Sequence, residues 1–301
     1  MAMTLIEASK LAANNGDVLS ASIGMKFASE SQILGTLPFQ TIAGSAYQYN
    51  REDTLPGVAF RGVNESYSES TGIVNPLVEG LRICGGDMDV DKFIIDTQGA
   101  QARTMHTMLK VKATALNWTK KFIKGDSSTD PREFDGLQTR LTGDQVISNG
   151  TTALSLAKLR EAIDQTDNPT GIIMSKAMRR LITAAAMNTS VGGFVNYETD
   201  TFARRITYFD DLPILEVDRD NLNADILGFT EASSTTSIYV VSFAEDGLFG
   251  IQGNTLQARD LGELETKPAV RTRVDWYNSI VALNARAATR LSGITNAAVT
   301  A

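Results

Sequence analysis

The longest uninterrupted helical pattern in the chain covers residues 98–124, which contain no proline and a single early glycine. Gly125-Asp126 is the natural stop. At ~100° per residue, Met105, Leu109, Ala113, Leu116 and Ile123 fall on one apolar stripe. Arg103, Lys110, Lys121 and Lys124 fall on a basic stripe, within roughly 60° of one another. At ~1.5 Å per residue the helix is about 40 Å long, which suits a structural spine better than the core of an enzyme. Strand periodicity appears on the N-terminal side, where Tyr47 and Tyr49 alternate with polar neighbours and Leu81 and Ile83 do the same. Pro56, Gly57, Gly62, Gly72 and Pro76 lie between them and forbid a helix. Residues 41–91 therefore read as a long hairpin with a polar, glycine-broken tip.

Beyond the spine, Asp130-Pro131, Asp135-Gly136 and Asn149-Gly150 mark turns. Elements then alternate: a helix at 155–165, the apolar strand GIIMS at 171–175, and a helix at 176–188. Strands RITYF and LPILEVD flank the Asp210-Asp211 turn, and SIYVVSFAE follows at 237–245. The block 146–254 is thus a compact unit of helices and strands, strongly acidic. Near the end, Val270, Thr272, Val274 and Trp276 alternate with Arg271, Arg273 and Asp275, another strand. Residues 1–40 show a short helix at most, and the apolar residues from Phe27 to Phe39 follow no period. This arm has no evident core of its own, so it is either disordered or held by another surface. The hairpin is in the same position, since two isolated strands are marginal in water. Arm and hairpin together point to an assembly whose neighbours cover about 91 residues of each copy.

Composition narrows the chemistry. The 301 residues are 43% hydrophobic and 21% charged, with a net charge of −7, which fits a folded chain and not a nucleic-acid-coating one. One cysteine, Cys84, excludes a disulfide framework and a cysteine-cluster zinc site, and one histidine, His106, makes a histidine-rich metal site or a histidine-paired triad hard to build. No apolar run reaches membrane-spanning length and no secretory leader is visible. Phosphate-binding glycine loops, HExxH and GxSxG are all absent. DMDVD at 87–91 imitates the start of a calcium loop, but Lys92 stands where glycine is required. Its plain reading is a strand end with solvated acids. Cys84 reads as a small buried hydrophobe and His106 as a packed helical side chain. The basic stripe reads either as a solvated face or as a surface for nucleic acid or an acidic partner. No catalytic, cofactor or metal residue is expected.

The order of arm, glycine-rich hairpin, spine helix, compact block and return strand resembles the major capsid proteins of tailed bacteriophages, the Hong Kong 97-like family. AYQYNREDTLPGVAFRGVNESYSESTGIVNP, TDPREFDGLQTRL, NTSVGG and VRTRVDWYNSIVAL are similar to segments of one branch of it. The resemblance spans roughly residues 1–294 and implies an α+β fold. Its parts would be an N-terminal arm at 1–40, an extended loop at 41–91 and a peripheral domain at 92–145 carrying the spine. An axial domain at 146–254 and peripheral return strands at 255–301 would complete it. The family implies hexamers and pentamers closed into an icosahedral shell around double-stranded DNA, in a virion assembled in the host cytoplasm. Further implied partners are a portal and, because the spine begins within 100 residues of the start, a separate scaffolding protein, with a decoration protein left open. Tyr47, Arg51, Glu52, Asp53, Leu55 and Phe60 are the candidate intersubunit contacts, with Arg51, Glu52 and Asp53 expected at the hairpin tip. Arg103, Lys110, Lys121 and Lys124 are the candidates for an inner, DNA-facing or partner-facing side, with the acidic block outward or axial. Some relatives weld subunits through a lysine on the extended loop; residues 27–91 contain none, so cohesion here is expected to be noncovalent. An encapsulin-type compartment shares the fold and is the alternative, followed by a small-molecule α/β enzyme.

Overall fold

The computed structural model describes residues 2–15, 18–54, 56–187, 195–199 and 205–300. Strand β1 (Met3–Thr4) leads into helices α1 (Leu5–Asn14), α2 (Val18–Glu30) and α3 (Gln32–Thr36), then β2 (Pro38–Thr41). A hairpin of β3 (Ala46–Thr54) and β4 (Ile73–Gly80) follows, then β5 (Arg82–Asp91), α4 (Lys92–Gln98) and the spine helix α5 (Ala100–Lys124). The second half contains α6 (Leu137–Arg140), β6 (Val146–Thr152), α7 (Leu156–Gln165), β7 (Gly171–Ser175) and α8 (Lys176–Ala186). It continues through β8 (Val195–Thr199), β9 (Arg205–Phe209), β10 (Leu212–Val217) and β11 (Thr236–Val241). The last strands are β12 (Leu248–Gln252), β13 (Gln257–Glu263), β14 (Ala269–Ala282) and β15 (Ala288–Ile294).

Two sheets organise these elements. One runs β1-β2-β12-β14-β13, with β5 also paired to β14; the other runs β6-β15-β11-β7-β10-β9-β8. The spine packs Val111, Ala115, Trp118 and Phe122 into the main core. There Trp118 meets Phe39, Phe122 and Trp276 at ring-centre distances of 6.0, 5.2 and 5.8 Å. Both indoles keep a partner in this dry interior: Trp118 Nε1 donates to Asn278 and Trp276 Nε1 to Gln252. The seven-stranded sheet is covered on both faces. Ile172, Met174, Ile214, Ile238 and Val240 lie under Leu156, Leu159, Met178 and Ile182 of α7 and α8. Ile173, Leu215, Tyr239 and Val241 point the other way, into the main core. Burial on both sides is why β7 reads as a continuous apolar run.

Two expectations are corrected. First, residues 1–40 are no coreless arm. Leu5, Ile23, Phe27, Ile33, Leu34, Leu37 and Phe39 sit in the main core of their own chain, and β2 pairs with β12. A capping box between Thr4 and Glu7 starts α1. The apolar residues from Phe27 to Phe39 show no single period because they span two helices and a strand. Second, the centre of the spine's buried face is rotated from that of the aliphatic stripe by roughly 140°. Met105 and Leu109 are more than half exposed, while Trp118 and Phe122 are buried. Two aromatics offer more apolar area than the aliphatic stripe and set the rotation. β12 at 248–252 lies beside β14, and β15 at 288–294 lies between β6 and β11. The acids of DMDVD lie at the surface and are paired there: Asp87 and Asp89 take paired hydrogen bonds from Arg273 and Arg271, directly across the β5–β14 ladder.

Candidate assembly interface

The hairpin is fastened at its base and open at its tip. Tyr49 is buried against Phe249, Ile251 and Val281, with Tyr47, Leu77 and Leu81 packed around them. Tyr47 stacks on Tyr49 at 6.2 Å and meets Phe249 edge-on at 6.0 Å. Below them Arg140, just after the spine, forks onto Glu79 of β4 with bonds of 2.6 and 3.0 Å. A third bond from Arg140 reaches the Asp135 carbonyl. Burial, with Glu79 nearby, holds the Tyr49 hydroxyl above the ordinary tyrosine range. A small hollow of about 220 Å³ remains between hairpin and body, lined by Tyr49, Arg51, Leu77, Glu79 and Arg140 among others.

The tip itself is residues 56–72, which form no strand or helix. Val58 and Val63 are 92% exposed and Phe60 is fully exposed; Tyr67 is 63% exposed beneath Arg61, whose guanidinium lies 5.3 Å from its ring. Such an apolar set on a projecting loop needs a partner surface to be removed from water. Among the candidate contacts, Phe60 is therefore free, whereas Tyr47 is half used by its own subunit. Arg51, Glu52 and Asp53 are not at the tip: they belong to β3, with Arg51 opposite Asn75 and Glu52 opposite Val74 of β4 and Asp53 at the register shift before Thr54. Leu55 lies outside the described residues, as do the side chains of Glu52 and Asp53. Val58, Val63, Tyr67 and the Arg140–Glu79 fork were missed from the sequence. The first three carry a readable signal, isolated large apolar residues in a polar loop; the fork joins positions 61 apart and carries none.

The basic stripe of α5 is mostly consumed inside the subunit. Arg103 pairs with Asp260 and donates to Thr272. Lys121 pairs with Glu133. Lys124 is half-buried near Glu231 and Arg290, and burial lowers its pKa. Lys110 lies over Gly86, where an added Cβ would come within 2.7 Å of its Nζ. These four residues share a face, as the wheel indicates, but that face is covered by the chain's own strands and turns. Cys84 is enclosed, and burial pushes its thiol up to about 11.

No family model and no curated protein matches the chain. Solved structures do. The SrpI encapsulin complex of Synechococcus elongatus PCC 7942 superimposes with a TM-score of 0.67 at 15% identity, over 90% of this chain and 89% of that one. The capsid of a native GTA particle gives 0.64 at 12% identity, over 89% and 91%. A chain from Mycobacterium phage Bobi gives 0.63 at 10% identity, over 90% and 91%. The chain has the Hong Kong 97-like capsid fold. Its mixture of helices and strands is of the α+β class.

Proposed function

We propose that this chain is a shell-forming capsid subunit, and more specifically a tailed-phage major capsid protein that assembles as hexamers and pentamers around double-stranded DNA. The observation that carries the reading is the extended loop: a Hong Kong 97-like fold whose projecting tip offers Val58, Phe60, Val63 and Tyr67 to water. One subunit cannot bury that tip, and repeated copies can. In this reading the six-stranded sheet with α5 is the peripheral domain. The seven-stranded sheet is the axial domain, and a separate scaffolding protein and a portal take part in assembly. The chemistry is structural, and no described helix is long and apolar enough to cross a membrane. The likeness to an encapsulin supports a second reading, a compartment that encloses protein.

Negative-stain microscopy of the full-length chain, expressed with and without its neighbouring genes, tests the shell. Closed particles are expected, and a stable monomer at every concentration would overturn it. Nuclease treatment of purified particles separates the two contents: protected DNA supports the phage reading, and protected protein alone supports the compartment.

A further inference from the structure

The acidic half of the molecule carries one basic face. Residues 146–254 hold fourteen acidic and eight basic side chains. Three of the eight lie on α8, whose sequence KAMRRLITAAA contains no acid. Met178 and Ile182 turn into the core. Lys176, Arg179, Arg180, Thr183 and Met187 line an open hollow of about 580 Å³, closed on the other side by Tyr197 of β8 and Arg205 of β9. Among the described residues lining it there is no carboxylate.

The charges differ in how far they are already neutralised. Lys176 pairs with Asp218. Arg179 approaches Glu216 at 3.3 Å, yet its Nε has no hydrogen-bond acceptor. Arg180 is exposed and has no ion pair among the described residues. Arg205 is also exposed, and its guanidinium lies 3.6 Å above the centre of the Tyr197 ring, a contact that fixes the cation without cancelling it. Glu198, the acid of β8, alternates to the opposite face of the ribbon from Tyr197. A neighbouring cleft of about 750 Å³ shares Lys176 and Arg205, but its other cations are matched, Lys112 with Glu30 and Arg219 with Asp225. Of these two clefts, the α8–β9 hollow is the one whose described lining has cations in excess of acids, beside a half-exposed aromatic ring.

We propose that this hollow is a docking surface for the phosphate backbone of nucleic acid, with Arg180 and Arg205 as the principal contacts and Arg179 and Lys176 in support. Point charges on a short helix face and a ribbon suit sequence-independent contact, and the open ring provides a surface against sugar or base. The proposal rests on the DNA-enclosing reading for its biological partner. The binding measurement does not, because it uses the full-length chain kept unassembled, whereas the absence of shells is seen by microscopy.

The test is fluorescence anisotropy with a labelled 30-base-pair duplex of random sequence, titrated at several salt concentrations. Arg180→Glu/Arg205→Glu should weaken binding by about tenfold or more at low salt and flatten the log–log salt dependence by about 1.8, or ~0.9 per lost phosphate contact. Arg180→Lys/Arg205→Lys should retain binding, which shows that charge rather than a folding defect is read. Arg132→Glu/Arg259→Glu changes net charge equally at two other exposed positions and should bind as the wild type does. Equal losses in both Glu pairs, or no duplex binding by the wild type, would overturn the proposal. So would displacement of the duplex by polyglutamate at matched charge, which would assign the hollow to an acidic polypeptide.

Discussion

At the scale of single residues, the main core is governed by close approaches and satisfied polar groups. Gly250 lies against the Phe39 ring, where an added Cβ would come within 2.2 Å. Phe39 is wedged between Trp118 and Trp276 and cannot swing away. Gly250→Ala should therefore destabilise the chain by about 1–3 kcal/mol, the usual cost of overpacking; a urea midpoint equal to the wild type's would contradict this packing. Asp220 accepts from Lys120 and from the backbone N–H groups of Ala224 and Leu222, which holds its carboxyl below the ordinary range. A carboxylate with a lowered folded pKa stabilises fully above its unfolded value, ~3.9, and loses that contribution as pH falls through the folded value. The advantage of the wild type over Asp220→Asn should be full at pH 6 and shrink below about pH 4. Urea titrations at pH 6 and pH 3 check the sign, and an advantage independent of pH would remove the assigned cause. With its thiol at about 11, Cys84 should carry roughly a hundredfold less thiolate than a free cysteine near 9. Its labelling by a disulfide reagent at pH 8 should be slow when folded and fast in denaturant.

At the scale of elements, the hairpin base is a lever arm held by one fork. Arg140 and Glu79 are largely shielded, with 15% and 21% of their side chains exposed. A double-mutant cycle with alanine at both positions should give a coupling of about 1–2 kcal/mol. A value near zero would move the anchoring to the Tyr49 cluster alone. The strands and the spine were legible in the sequence because each holds one period for its whole length. GIIMS coincides with β7, and the Val270–Trp276 alternation survives as the buried and open faces of β14. The arm was not legible, because its pattern changes period between α2, α3 and β2 while all three serve one core. Nor could the wheel show the fate of the basic stripe, since Asp260 and Glu133 reach it through tertiary contact. The α8–β9 face lay hidden for a related reason: Arg179-Arg180 and Arg204-Arg205 look like ordinary surface pairs until the sheet brings α8 and β9 together.

At the scale of the whole molecule, stability and assembly should separate at the tip. Phe60 is fully exposed, so Phe60→Asp should change the unfolding free energy of the isolated chain by no more than about 0.5 kcal/mol. The same change should reduce the yield of closed particles measured by sedimentation. Unchanged assembly would place the intersubunit contact elsewhere. The loop's lack of lysine gives a further expectation: mature particles boiled in detergent should run as one band near 32.5 kDa. A reductant-resistant ladder would show covalent joining through another group.

The position of β15 has a consequence in time. Residues 288–294 form the second strand of the seven-stranded sheet, joining the edge strand β6 to β11, which are some 140 and 50 residues earlier in the chain. During synthesis β6 and β11 leave the ribosome with that place empty. The sheet closes only when the late strand arrives, so this half of the molecule folds after translation has passed residue 294 rather than progressively. A chain interrupted earlier presents two unpaired strand edges and is marked for capture by chaperones or proteases. In the shell proposed above, that timing would keep unfinished subunits from being incorporated.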